Sequence, residues 1–129
     1  MVLDTSALIA IILGEPERRP FFRAILSDAT RIVGEPTVFE AIMVMMGRMG
    51  AGGEDEVEYL LERLDIEILP FTRIHRDIAT DAFRRFGKGR HPAGLNFGDC
   101  MAYAVAKATG EPLLFKGNDF SRTDIRAAL

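Results

Sequence analysis

Four acids, Asp4, Glu40, Asp99 and Asp119, stand where the chain can bring carboxylates together. Asp4 follows Val2 and Leu3, which read as the core of a short buried strand, and precedes Thr5-Ser6 and an apolar run from Ala7 to Leu13. In open α/β sheets ligands sit in the crevice outside the carboxyl ends of the strands, so an acid at that mouth is a site candidate. Glu40 lies four residues after Pro36, about 6 Å into a helix rising 1.5 Å per residue. Asp99 falls in the first turn of a helix opened by Asn96, beside the small Gly98, and Asp119 follows a strand ending at Phe115. Each has a plainer explanation. Asp4, Thr5 or Ser6 caps the following helix, Glu40 is one exposed position on a buried helix, Asp99 pairs with Asn96 in a capping box, and Asn118-Asp119 forms an Asx turn.

In a parallel sheet the four explanations must hold at once, because Asp4 and Asp119 leave neighbouring strand ends while Glu40 and Asp99 open helices at the same edge. Two such charges about 4 Å apart repel by roughly 4 kcal/mol at an effective dielectric near 20, so the cluster calls for protons or a cation. All-oxygen donors select hard ions, Mg²⁺ or Mn²⁺. Such an ion polarises a phosphoryl oxygen and lowers the pKa of water, which is the chemistry of phosphodiester hydrolysis. One rival uses the only histidines, His75 and His91, as an acid-base pair for metal-free RNA cleavage. Another, from a different class, makes the acids caps and the chain a catalytically silent RNA- or protein-binding module. A phosphatase built on Asp4 would need a second acid at position 6, which is Ser6, and Thr5 to Leu13 holds no glycine for a phosphate-cradling loop.

The elements that must position these acids follow from apolar spacing and turn residues. Glu15-Pro16-Glu17 starts a helix carrying Phe21, Phe22, Ile25 and Leu26, and Thr30 to Val33 is a strand. The helix from Pro36 to about Met49 is apolar nearly all round, so it is buried in the core or against a partner. Glu54 to Leu64 is amphipathic, Glu67 to Phe71 is a strand, and Thr72 caps a helix that turns Ile74, Ile78, Ala82, Phe83 and Phe86 inward and stops at Gly87. Lys88 to Leu95 is a loop, Asn96 to Gly110 a helix, and Pro112 to Phe115 a strand, after which Ser121-x-x-Asp124 caps a last short helix. This order gives an α/β domain with a mostly parallel sheet covered on both faces.

At 129 residues the chain is the size of one domain, 1–129. Its 48% hydrophobic and 27% charged residues fit a soluble globular protein, and no apolar run approaches the roughly 18 residues of a membrane span. No secretory signal is visible, and the lone Cys100 makes no internal disulfide, so the expected compartment is the cytoplasm. A net charge of −3 argues against coating nucleic acid by bulk attraction. Any RNA contact is local, and Arg85, Lys88 and Arg90 in the stretch Arg84 to His91 are its candidates, against the alternative of a solvated helix end.

Taken together, Asp4-Thr5-Ser6 after a first strand, Glu40, Leu95-Asn96-Phe97-Gly98-Asp99, and Lys116-Gly117-Asn118-Asp119-Phe120 with Thr123-Asp124-Ile125 resemble the PIN domain of the VapC type of toxin ribonuclease. The resemblance spans essentially the whole chain. It implies a three-layer α/β/α sandwich with a mostly parallel central sheet of four to five strands, a Mg²⁺- or Mn²⁺-dependent endoribonuclease, a homodimer, and inhibition by a cognate antitoxin. By position it makes Asp4, Asp99 and Asp119 metal ligands and Glu40 the acid that binds a second ion or orients the attacking water, with Ser6 holding a water. Asp119 and Asp124 both remain open as the last ligand. Phe21 and Phe22, with the helix opened by Ala7, form the groove that the resemblance assigns to an antitoxin helix, and Met43, Met45, Met46 and Met49 serve either a subunit interface or the core. With ten residues after Asp119, the final strand of the family is short or absent.

Overall fold

The computed structural model describes residues Met1–Leu129. Its sheet is built on a strand of two residues, β1 (Val2–Leu3), flanked in parallel by β2 (Ile32–Gly34) and β4 (Leu113–Leu114), with β3 (Glu67–Leu69) at the edge in the order β3-β2-β1-β4. Consecutive strand residues face opposite sides of a sheet. Leu3, Val33 and Leu114 accordingly enter one core, while Val2, Ile32 and Leu113 enter the other. The register Val2↔Ile32 and Val2↔Leu113 keeps like residues on like faces.

The first core lies under α1 (Thr5–Ile12), α2 (Arg18–Ser27), α3 (Glu35–Met49) and α4 (Gly52–Arg63), and the second under α5 (Arg73–Phe86) and α6 (Phe97–Thr109). Helices thus cover both faces, and the result is the three-layer α/β/α sandwich with four parallel strands. A lone parallel bridge from Leu113 to Ala127 marks the place of a fifth strand, in keeping with a short final strand.

Several elements depart from the sequence reading. β3 ends at Leu69 rather than Phe71 because Pro70 has no N–H to give the ladder. α3 is not buried all round. Its face toward α1 and α4 buries Val38, Ala41 and Met45, while Phe39, Met43, Met46 and Met49 are all about half exposed or more. α5 packs on α6 through the small Ala79 and Ala82, and this close approach leaves the bulkier Ile74 and Phe83 at the rim instead of inward. Ser121 and Asp124 cap no helix. A single 3-10 turn, Phe120–Arg122, precedes Asp124, whose carboxylate is taken up by side chains of α5 and α6.

α4 can lie across α3 only because Gly53 lacks a side chain, since a Cβ there would overlap the backbone of Met45 and Met46. Gly47, exposed within α3, has open space around it. The same substitution should therefore act with opposite sign at the two positions. In urea unfolding, Gly53→Ala is expected to lose about 1–3 kcal/mol through overpacking, and Gly47→Ala to gain about 0.5–1 kcal/mol through helix propensity.

Candidate active site at the carboxyl edge of the sheet

Asp4 leaves β1 in extended conformation and is itself the N-cap of α1. Its Oδ2 accepts the Ser6 backbone N–H at 3.0 Å and the Ser6 hydroxyl at 2.6 Å. Of the three cap candidates Asp4 takes the role, while Thr5 and Ser6 lie inside the helix and Ser6 donates to the cap. The Ser6 hydroxyl in turn accepts the Lys116 N–H at 2.9 Å, and the Asp4 N–H donates to the Leu114 carbonyl at 2.9 Å. The exits of β1 and β4 are thus tied together at this edge. Asp4 is only 5% exposed. Burial raises its pKa, the bonds from Ser6 oppose that rise, and the charge of Glu40 adds to it.

Asp99 and Asn96 close the capping box read from the sequence, with the Asp99 N–H on Asn96 Oδ1 and the Asn96 N–H on Asp99 Oδ2, both at 2.9 Å. Capping does not settle the acid's ionisation. Burial, together with the charges of Asp4 and Asp119, pushes Asp99 up to about 6 against the downward pull of the Asn96 N–H. Glu40 reaches from α3 onto the first turn of α6, where a Cβ on Gly98 would overlap its carboxylate. Gly98 is therefore the space that Glu40 occupies beside Asp99.

Asp4, Glu40 and Asp99 line one open depression of about 270 Å³ together with Ser6, Glu15 and Lys116. Asp119 is exposed, does not line the depression, makes no side-chain cap, and acts on Asp99 through its charge. No three acids, histidines or cysteines are drawn into a ready-made cage. Charges that repel one another stand apart until a cation joins them, and an ion that keeps several of its waters needs only one or two direct carboxylates. The donor set suits such an ion: oxygens alone, with proton affinity raised by burial at both Asp4 and Asp99, by the charge of Glu40 at Asp4, and by the charges of Asp4 and Asp119 at Asp99.

A PIN domain model matches residues 1–126. The chain belongs to the PIN domain family, in its VapC branch. A VapC ribonuclease of Mycobacterium bovis is 42% identical over 125 residues, covering 97% of this chain and 95% of the relative. A ribonuclease VapC of Mycolicibacterium smegmatis is 42% identical over 127 residues, covering 98% of each. Among solved structures, VapC20 of Mycobacterium tuberculosis superposes with a TM-score of 0.77 at 17% identity, over 96% of this chain and 95% of that one. VapBC2 of Rickettsia felis does so with 0.77 at 12% identity, over 98% and 94%.

In this PIN domain Asp124 stands outside the depression. It accepts the Tyr103 hydroxyl at 2.6 Å and pairs with Lys107 at 3.0 Å and Arg85 at 3.2 Å. Burial works to raise its pKa, but these three partners hold it down to about 2. It fastens the last segment of the PIN fold to α5 and α6, which leaves Asp119 as the acid whose charge reaches Asp99. Arg85 is engaged by Asp81 and Asp124, Arg90 stacks over Phe83 at 5.3 Å, and Lys88 is exposed without an ion pair. None of the three lines the depression. His75 and His91 each use Nδ1 to accept a local backbone N–H, from Thr72 and Ala93, both at 3.0 Å. They are spent on turns, away from the acids.

Two residues of the site escaped the sequence reading. Lys116 was visible within Lys116-Gly117-Asn118-Asp119, but nothing there signals that its side chain folds back 2.7 Å from Glu15. Glu15 reads as a helix start, and only the loop between α1 and α2 carries it to the depression.

A folded-state pKa near 6 for Asp99, above its ordinary 3.8, means that the metal-free fold holds this proton more tightly than the unfolded chain does. Its contribution to stability is full below about 3.8 and is lost as pH rises through about 6. The melting temperature in EDTA should fall over that interval, and Asp99→Asn should flatten the fall. An equal slope in both proteins would show that the acids are not crowded.

Proposed function

We propose that the chain is an endoribonuclease that hydrolyses RNA phosphodiester bonds with Mg²⁺ or Mn²⁺ and acts as the toxin of a toxin-antitoxin pair. The observation that carries this reading is the convergence of Asp4, Glu40 and Asp99 in one depression, with Asp119 close enough to raise the pKa of Asp99. Relatives 42% identical over nearly the whole chain are VapC ribonucleases, which supports the substrate class. Asp4, Asp99 and Asp119 would hold the ion, with Glu40 at a second ion or at the attacking water. When bound, the ion supplies Lewis-acid polarisation of the phosphoryl oxygen and lowers the pKa of water.

The chain's own residues do the rest. Ser6 fixes Asp4 through Oδ2, its hydroxyl keeps the Asp4 carboxylate and the β4 exit in register, and its second lone pair is left for the water proposed there. The Asn96 box fixes Asp99 in the same way. Glu40, which makes no hydrogen bond to the protein, is free to orient a water for in-line attack on phosphorus as the bond to the leaving ribose oxygen breaks.

The partners proposed are RNA, a cognate antitoxin and a second copy of the chain, with the cytoplasm as the compartment that suits one buried, unpaired cysteine. A groove floored by Ile11, Ile12, Phe22 and Leu60 between α1, α2 and α4 supports an antitoxin seat, while Phe21 belongs to the core. Phe39, Met43 and Met46, exposed at i, i+4 and i+7 along α3, support the homodimer.

Purified protein should cleave RNA with Mn²⁺ or Mg²⁺ and stop in EDTA. Asp4→Asn and Asp99→Asn should each lose about 100-fold or more with circular dichroism unchanged, and full activity in both would falsify the assignment. For the dimer, light scattering on Met43→Asp should give the monomer mass where the wild type gives twice it. A wild-type monomer at micromolar concentration would remove the second copy from the proposal.

A further inference from the structure

The depression that gathers the acids contains one cation. Lys116 lines it, with Nζ 2.7 Å from Glu15 Oε2 and 3.4 Å from Glu17 Oε2. Glu17 Oε2 is enclosed and has no hydrogen bond of its own, so two carboxylates share one ammonium. The main chain of Lys116 is keyed to the same place, since its N–H donates to the Ser6 hydroxyl that holds Asp4. Both ends of the residue are therefore fixed relative to the acids.

A phosphodiester entering this edge meets Asp4, Glu40, Asp99, Glu15 and Glu17, all of its own sign. The basic stretch from Arg84 to Arg90 does not help there, since none of it lines the depression. Half-exposed ion pairs add little to stability, so a clamp between the α1–α2 loop and β4 is a weak reason for a lysine among carboxylates. A phosphate oxygen offers the ammonium what Glu15 offers it now, a charge-assisted hydrogen bond.

The geometry points to Lys116 as the residue that takes the RNA phosphate at the crevice, exchanging Glu15 and Glu17 for a phosphate oxygen. It is a substrate-contacting residue for the ribonuclease reaction and rests on that reading. Glu15 and Glu17 are positioning residues that keep the ammonium at the rim and compete with the substrate for it. Breaking the ion pair from its two sides must then have opposite effects on RNA binding, whereas a clamp would give the same defect from either side.

The test follows a dye-labelled single-stranded RNA by fluorescence anisotropy in EDTA, in parallel with its cleavage in Mn²⁺. Lys116→Met should weaken binding and raise KM about tenfold with a smaller change in kcat, and Lys116→Arg should restore most of it. The slope of log affinity against log salt should shrink by about 0.7, one phosphate contact on a single strand. Glu15→Gln, alone and with Glu17→Gln, should lower KM. Overturning results are a KM raised alike by Lys116→Met and Glu15→Gln, or an unchanged salt slope in Lys116→Met. Wild type that cleaves while Lys116→Met binds normally sinks this inference alone. RNA binding that depends on Lys116 without any cleavage sinks the nuclease reading alone, and neither RNA binding nor cleavage by wild type sinks both.

Discussion

The fold rests on a constraint set by two residues. β1 is a central strand with neighbours on both sides, and it has one side chain for each core. Val2 and Leu3 are fully buried on opposite faces, and a slip of one residue would exchange every such side chain between layers. Fixing that register fixes where the strand runs out of apolar residues, and the next residue is Asp4. The buried acid thus comes from the same alternation that holds the layers together.

Electrostatics then divides the acids into two kinds. Asp124 is surrounded by donors and cations and is stabilised as a carboxylate, so it serves the fold. Asp4, buried, and Asp99, half-buried, lie near other negative charges and are destabilised as carboxylates, so the fold gains nothing from their charge. Acids maintained at the expense of the fold are what the cation proposed for this place would call for. Ser6, Asn96 and Gly98 serve that place indirectly, two by fixing a carboxylate oxygen and one by leaving room for another.

Much of this was readable from local chemistry. Val2-Leu3 before an acid, the Asn96 and Asp99 spacing of a capping box, and a glycine beside Asp99 are patterns whose meaning lies within a few residues, and the structure contains all three. What escaped depends on packing between distant segments. Nothing in the apolar run of α3 tells which methionines face α1 and α4, so Met45 could not be separated from Met43 and Met46. The inward turn expected of Ile74 and Phe83 failed because Ala79 and Ala82 set the approach of α5 to α6. Arg85 lies 39 residues from Asp124 and Glu15 101 from Lys116, beyond the reach of any spacing rule.

The place of β4 in the sheet sets a timetable. β1 is the first strand in chain order and β4 the last, yet they pair side by side. Until Leu114 has been made, the Asp4 N–H has no carbonyl to meet, and until Lys116 follows, the Ser6 hydroxyl has no main-chain donor. A domain of this size folds as one unit rather than strand by strand. The acidic crevice therefore cannot close before the last strand is in place, however early Asp4 and Glu40 are made.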